Sequence, residues 1–120
     1  TKVVRGLKNN TAAGYDGVEY SFLKKNLLKI IDALTSIFNV CWHNRKIPDS
    51  WKHATITLLP KKGGNPDEPG DWRPISLLTS LYKVYMKLIQ SRVLPWMVAT
   101  GRLSERQKGS LRATRARLLH

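Results

Sequence analysis

Residues 58–77 read LLPKKGGNPDEPGDWRPISL, and no other stretch limits the fold as strongly. Two apolar runs are separated by the eleven residues 61–71, which hold Gly63, Gly64 and Gly70 together with Pro66 and Pro69. Proline lacks a backbone donor and glycine adopts angles closed to other residues, so no regular element crosses that segment. The chain must turn there. Ahead of the turn, Ala54, Ile56 and Leu58 alternate with Thr55 and Thr57, which predicts a strand ended by Pro60. Behind it, residues 75–78 predict a second short strand. The product is a strand-loop-strand finger with cations on both sides of its loop, Lys61 and Lys62 at one end and Arg73 at the other. Such an arrangement suits a polyanion. It is not a P-loop, because GxxxxGK[ST] is absent and no helix follows at the right place. Arg73 has three roles open to it: stacking on Trp72, pairing with Asp71, or gripping a phosphate bidentately, and the residues alone favour structural pairing.

Charge narrows the partners. Twenty-one Lys and Arg against eight Asp and Glu leave the 120 residues at +13, and past Asp71 the only acid is Glu105 against ten bases. A field of that sign attracts phosphate backbones. The plainer alternative is a basic surface that serves solubility or is neutralised by the rest of a larger protein. The single cysteine, Cys41, excludes an internal disulfide and a CxxC-type zinc site, and His43, His53 and His120 are scattered, so no metal site is expected. The longest uncharged run, residues 33–44, is too short to span a bilayer. No secretory leader is recognisable, so an intracellular protein without membrane contact is expected.

Taken in order, residues 1–10 form a basic helix tail or arm. Gly14, Asp16 and Gly17 then make a tight turn, where an Asp serves turn or cap formation rather than catalysis. From residue 19 to 45 the pattern is helical: Leu23, Leu27, Ile31, Leu34, Phe38 and Cys41 recur at spacings of three or four, and Asn26 marks a break into two helices. Cys41 lies on that stripe and is core, while His43 is placed to satisfy the helix end. Trp51 is a packing anchor. Thr79 or Ser80 is the N-cap of a last helix carried by Leu81, Val84, Tyr85, Leu88 and Ile89. Lys83, Lys87 and Arg92 make its outer side basic. Pro95 and Gly101 bring it to an end, and residues 102–120 form a basic tail.

Four segments in this order resemble the N-terminal part of a reverse transcriptase domain of the non-LTR (LINE-type) retrotransposons, and more distantly the group II intron maturases. AAGYDGV looks like their pre-fingers loop, which usually carries Pro in place of Ala13. NRKIPDSWKHATITLLPKKG with DWRPISLLTSLYKVYMKLIQSR is similar to their fingers block, and LSERQKG to the start of the next. The resemblance covers residues 6–109. It implies an α+β fold: a helix-rich fingers subdomain of a right-hand polymerase, with a short antiparallel hairpin, truncated before the catalytic palm. Residues 1–120 would then be a partial reverse transcriptase domain, with 110–120 a divergent tail.

By the same resemblance the hairpin closes over the incoming deoxynucleotide, with Lys61 or Lys62 on its terminal phosphates and Arg73 on the triphosphate. Gly14, Asp16 and Gly17 would lie near the template. Lys83, Lys87 and Arg92, with Gln107 and Lys108, would contact nucleic acid. The implied partners are an RNA template, a DNA primer, the deoxynucleotide and the remaining palm, thumb and endonuclease of a parent polyprotein, in a nuclear setting. The family's Mg²⁺ ligands are palm carboxylates, and no Asp-Asp pair occurs here, so no catalytic or metal-binding residue is expected in this chain. After Gln107, Lys108 and Gly109 the sequence departs from the family, as a frameshifted or truncated copy would. The expectation is a polymerase fragment inactive alone; a stand-alone basic nucleic-acid-binding module or a functionless remnant is the alternative.

Overall fold

The computed structural model describes residues 1–9 and 11–104. Four helices and one hairpin follow in the order α1 (Lys2–Arg5), α2 (Tyr20–Lys25), α3 (Leu27–Asn44), β1 (Thr55–Pro60), β2 (Trp72–Leu77) and α4 (Ser80–Ala99), with short 3-10 turns at Asp49–Lys52 and Pro69–Asp71. The fold is mixed helix and strand. The described residues up to Tyr85 form one compact unit, and those from Met86 to Ser104 belong to a second.

The core of the first unit follows the helical stripe. Leu23, Leu27, Leu34, Phe38 and Cys41 are buried, joined by Val4 and Leu7 from the N-terminal arm and by Val84 and Tyr85 from α4. Trp51 anchors it as expected, with its ring 6.2 Å from Phe38, 5.9 Å from Tyr85 and 6.2 Å from Tyr82. Tilted and edge-on aromatic pairs of this kind each add about 0.5–1.5 kcal/mol beyond their burial. The break at Asn26 is present, and the Asn26 side chain donates to the Phe22 carbonyl at 2.9 Å as α2 gives way to α3. The N-terminal arm is tied down by Lys24, whose ammonium donates to Leu7 O at 2.6 Å and Asn9 Oδ1 at 2.9 Å.

Several expectations about element ends need correction. His43 is exposed and does not finish α3: Arg45 turns left-handed at φ 52°, and the amides of Arg45 and Lys46 donate to Trp42 O and Cys41 O instead. Main-chain groups therefore satisfy the helix end. Thr79 holds the N-cap position of α4, its carbonyl accepting from Lys83 N at 3.1 Å, but neither hydroxyl caps the helix. The Ser80 hydroxyl donates to Val18 O, and the Thr79 hydroxyl is buried without a partner among the described residues. Pro95 does not stop α4, which runs on to Ala99; Gly101 does, at φ +65°, with its own amide donating to Val98 O and that of Arg102 to Met97 O.

The hairpin also differs from its outline. β1 reaches through Pro60, and β2 begins at Trp72 rather than at Ile75. The register pairs Thr55 with Leu77, Leu59 with Arg73 and Pro60 with Trp72. One step beyond the strands, Lys61 N donates to Asp71 O at 2.7 Å. Hydrogen-bonded and open pairs alternate along an antiparallel ladder, so Pro60 and Pro74 both fall at open pairs with their ring nitrogens facing outward. Each proline then costs the ladder nothing and blocks an outer edge.

Candidate functional site

The hairpin stands away from the core. All of β1 is exposed, and the large apolar residues Ile56, Leu58, Leu59 and Ile75 remain open to solvent. The alternation in the sequence thus reflects two exposed faces rather than one packed face. The register sorts them. Ile56, Leu58, Pro60, Trp72, Pro74 and Ser76 share one side. Thr55, Thr57, Leu59, Arg73, Ile75 and Leu77 share the other, and the continued ladder adds Lys61 to it. Lys61 and Arg73 therefore stand on one face, close to the loop.

The loop between the strands is internally wired. The Asp71 carboxylate accepts from Asn65 N at 2.8 Å, Asn65 Oδ1 accepts from Asp67 N at 3.1 Å, and the Trp72 indole donates to Pro66 O at 3.0 Å. Gly63 is left-handed at φ +76°, and a Cβ on Gly64 would stand 2.9 Å from Asp71 Cβ. The loop's own groups consume Asp71 and Trp72, so two of the three roles open to Arg73 are not taken: no ion pair or stacking contact holds it among the described residues. The ammonium of Lys61 rests on Gly70 O at 2.6 Å, while Lys62 is exposed and has no partner among the described residues.

The turn at residues 12–18 meets both roots of the hairpin. The Tyr15 hydroxyl donates to Ser50 O at 2.7 Å, and its ring lies edge-on to His53 at 5.9 Å, just ahead of β1. On the other side, Gly14 packs against the backbone of Leu78 and Thr79, just after β2. Gly17 N donates to Gly14 O and Val18 N to Asp16 Oδ1, so Asp16 forms the turn. Tyr15 was not singled out from the sequence, and Ser80 only as a helix cap, whereas its hydroxyl donates to Val18 O. A tyrosine between two turn glycines, beside a serine that could equally cap a helix, gives no sign of a partner tens of residues away.

The basic side of α4 is less uniform than the sequence suggested. Lys83 is half-buried, with its ammonium on Ala12 O at 3.1 Å and 4.9 Å from the centre of the Tyr20 ring. It fastens the turn to α4 and is not an open surface cation. Lys87 and Arg92 are exposed. Gln107 and Lys108 lie outside the described residues. No three His, Cys, Asp or Glu side chains come together in a metal-binding arrangement among the described residues, and none of their helices is long and apolar enough to cross a membrane. The described residues do not fit a two-metal centre, which needs converging carboxylates.

No protein-family model matches the chain. Over 108 residues, 90% of its length, it is 35% identical to a probable RNA-directed DNA polymerase from transposon X-element of Drosophila melanogaster. Over the same length it is 32% identical to one from transposon BS of that fly, and over 76 residues 36% identical to the RNA-directed DNA polymerase from mobile element jockey. These relatives define a class, the RNA-directed DNA polymerases of mobile elements. Within it the chain belongs to the non-LTR, LINE-type reverse transcriptases, and it spans 12% of the length of the first two relatives.

Proposed function

We propose that the chain supplies the fingers part of a retrotransposon RNA-directed DNA polymerase and receives the triphosphate of the incoming deoxynucleotide on its hairpin. The observation that carries this reading is the placement of Arg73 and Lys61 on one face of the hairpin, beside a loop whose Asn65, Asp71 and Trp72 side chains bond within the loop. Phosphoryl transfer is catalysed largely by positioning and charge neutralisation, and a guanidinium without a partner among the described residues is poised for both. Lys61 is the favoured lysine because the ladder sets it on the face of Arg73; Lys62 assists from the turn. Residues Gly14, Asp16 and Gly17 lie on the template side, and Lys87, Arg92, Gln107 and Lys108 follow the nucleic-acid path. Lys83 acts indirectly, by holding the turn in place.

The described acids cannot assemble a two-metal centre, so no chemical step is assigned to this chain. The Mg²⁺ of such a polymerase belongs to palm residues of the parent protein, as do the remaining contacts to RNA template and DNA primer. The parent acts in the nucleus. The test is steady-state primer extension by the parent polymerase carrying Arg73→Ala or Lys61→Ala. A raised deoxynucleotide KM with intact template binding supports the reading, and unchanged kinetics in both variants overturns it. Extension by the 120-residue chain alone would overturn the claim that it carries no catalytic centre.

A further inference from the structure

Away from the hairpin, the end of α3 carries a group of features that the proposed function does not use. Arg45 is the one non-glycine residue with positive φ among the described residues, at 52°. A left-handed helix end is usually glycine, since a side chain there is strained. An arginine in that place calls for a reason beyond the turn. Three residues earlier, Trp42 is 59% exposed, although an indole normally gains by burial. Trp42, Arg45 and Lys46 line one recess of about 410 Å³ with Cys41, Ile47 and Tyr85. A second recess of about 540 Å³ shares Arg45, Lys46 and Ile47 and reaches Lys52. The nearby acid, Asp49, is neutralised by Lys52 at 2.6 Å, which holds its carboxyl below the ordinary range.

We infer that this α3 rim is a second nucleic-acid contact, taking a single-stranded segment with one base stacked on the Trp42 indole and its phosphates on Arg45 and Lys46. An aromatic platform beside cations fits single strands, because only unpaired bases offer a face for stacking. A duplex would use the cations and leave the indole idle. The strained backbone of Arg45 then has a purpose: it fixes the root of the guanidinium beside Trp42. This inference rests on the nucleic-acid part of the proposed function, but it concerns a surface that the hairpin does not include.

The test is fluorescence anisotropy of the full chain with a labelled oligouridine of about a dozen nucleotides and with a duplex of similar length, at several salt concentrations. Trp42→Ala should weaken oligouridine binding roughly tenfold and leave duplex binding unchanged, as expected for one lost stacking platform. Arg45→Gly relieves the left-handed strain, so its thermal midpoint should equal or exceed that of the unaltered chain, while oligouridine binding falls and the salt slope shrinks by about one. Arg92→Ala serves as the comparison. If it weakens binding while Trp42→Ala and Arg45→Gly do not, this inference falls and the nucleic-acid reading stands. If the unaltered chain binds neither probe, both fall. If Arg45→Gly weakens binding and Trp42→Ala does not, stacking on a single strand is overturned.

Discussion

The backbones of Gly14 and Leu78 touch: a Cβ built on Gly14 would stand 2.7 Å from the Leu78 carbonyl oxygen and 2.8 Å from Thr79 N. Both neighbours are main chain and cannot rotate aside. Gly14→Ala should therefore cost about 1–3 kcal/mol, the usual penalty of forced overpacking. Gly17→Ala meets open space but inherits φ +70°, and should cost about 1 kcal/mol. Urea denaturation of both variants checks the order, which reverses if residues 12–18 do not pack against the hairpin root.

In the parent polymerase, Arg73→Ala should raise the deoxynucleotide KM roughly tenfold or more, the worth of one lost charge-assisted contact. Lys61→Ala should do so more than Lys62→Ala, since the ladder puts Lys61 beside Arg73. Equal effects from the two lysines would remove the argument from strand register.

Burial pushes the Tyr85 hydroxyl above its ordinary pKa, with an electrostatic contribution from the neighbouring Cys41 adding to the effect, and burial does the same to Tyr20. The folded state thus favours the neutral phenols. The stability they contribute is complete below the unfolded tyrosine value of about 10 and is lost as pH rises through the higher folded values. Thermal melts should fall on the alkaline side of pH 10, and Tyr85→Phe should flatten that fall. A melt curve with the same alkaline slope in the variant would refute the assignment.

Pro60 and Pro74 face outward from the two edges of the hairpin, whose apolar side chains are exposed. Pro60→Thr and Pro74→Thr would each restore an edge donor. The double variant should self-associate at concentrations where the unaltered chain does not, as sedimentation velocity would show. Association unchanged by the double variant would mean that the edges are protected by something else.

Much of this was legible in the sequence, for identifiable reasons. The helical stripe from Leu23 to Cys41 and the anchor at Trp51 follow from apolar spacing, and the break at Asn26 from one poor helix former. The turn at residues 61–71 follows from its glycines and prolines. What the sequence hid was the use of particular polar groups. Ser80 reads as a cap yet bonds to Val18, 62 residues away, and Lys83 reads as a surface cation yet clasps Ala12. Local pattern identifies a donor but not the distant carbonyl that will take it. Pro95 misled for a related reason: α4 tolerates the one missing donor and continues. The hairpin's faces were obscured because alternation alone does not distinguish a strand packed on one side from one exposed on both.

The contacts of residues 12–18 with both roots of the hairpin have a mechanical consequence. Six residues of strand extend the arm about 20 Å from those roots. A tilt of about ten degrees at the base would carry the loop bearing Lys61 and Lys62 through about 3 Å, enough to make or break a phosphate contact. The turn is thus the fulcrum of a lever, and a load placed on Gly14 or Asp16 would be felt at the loop that carries Lys61 and Lys62.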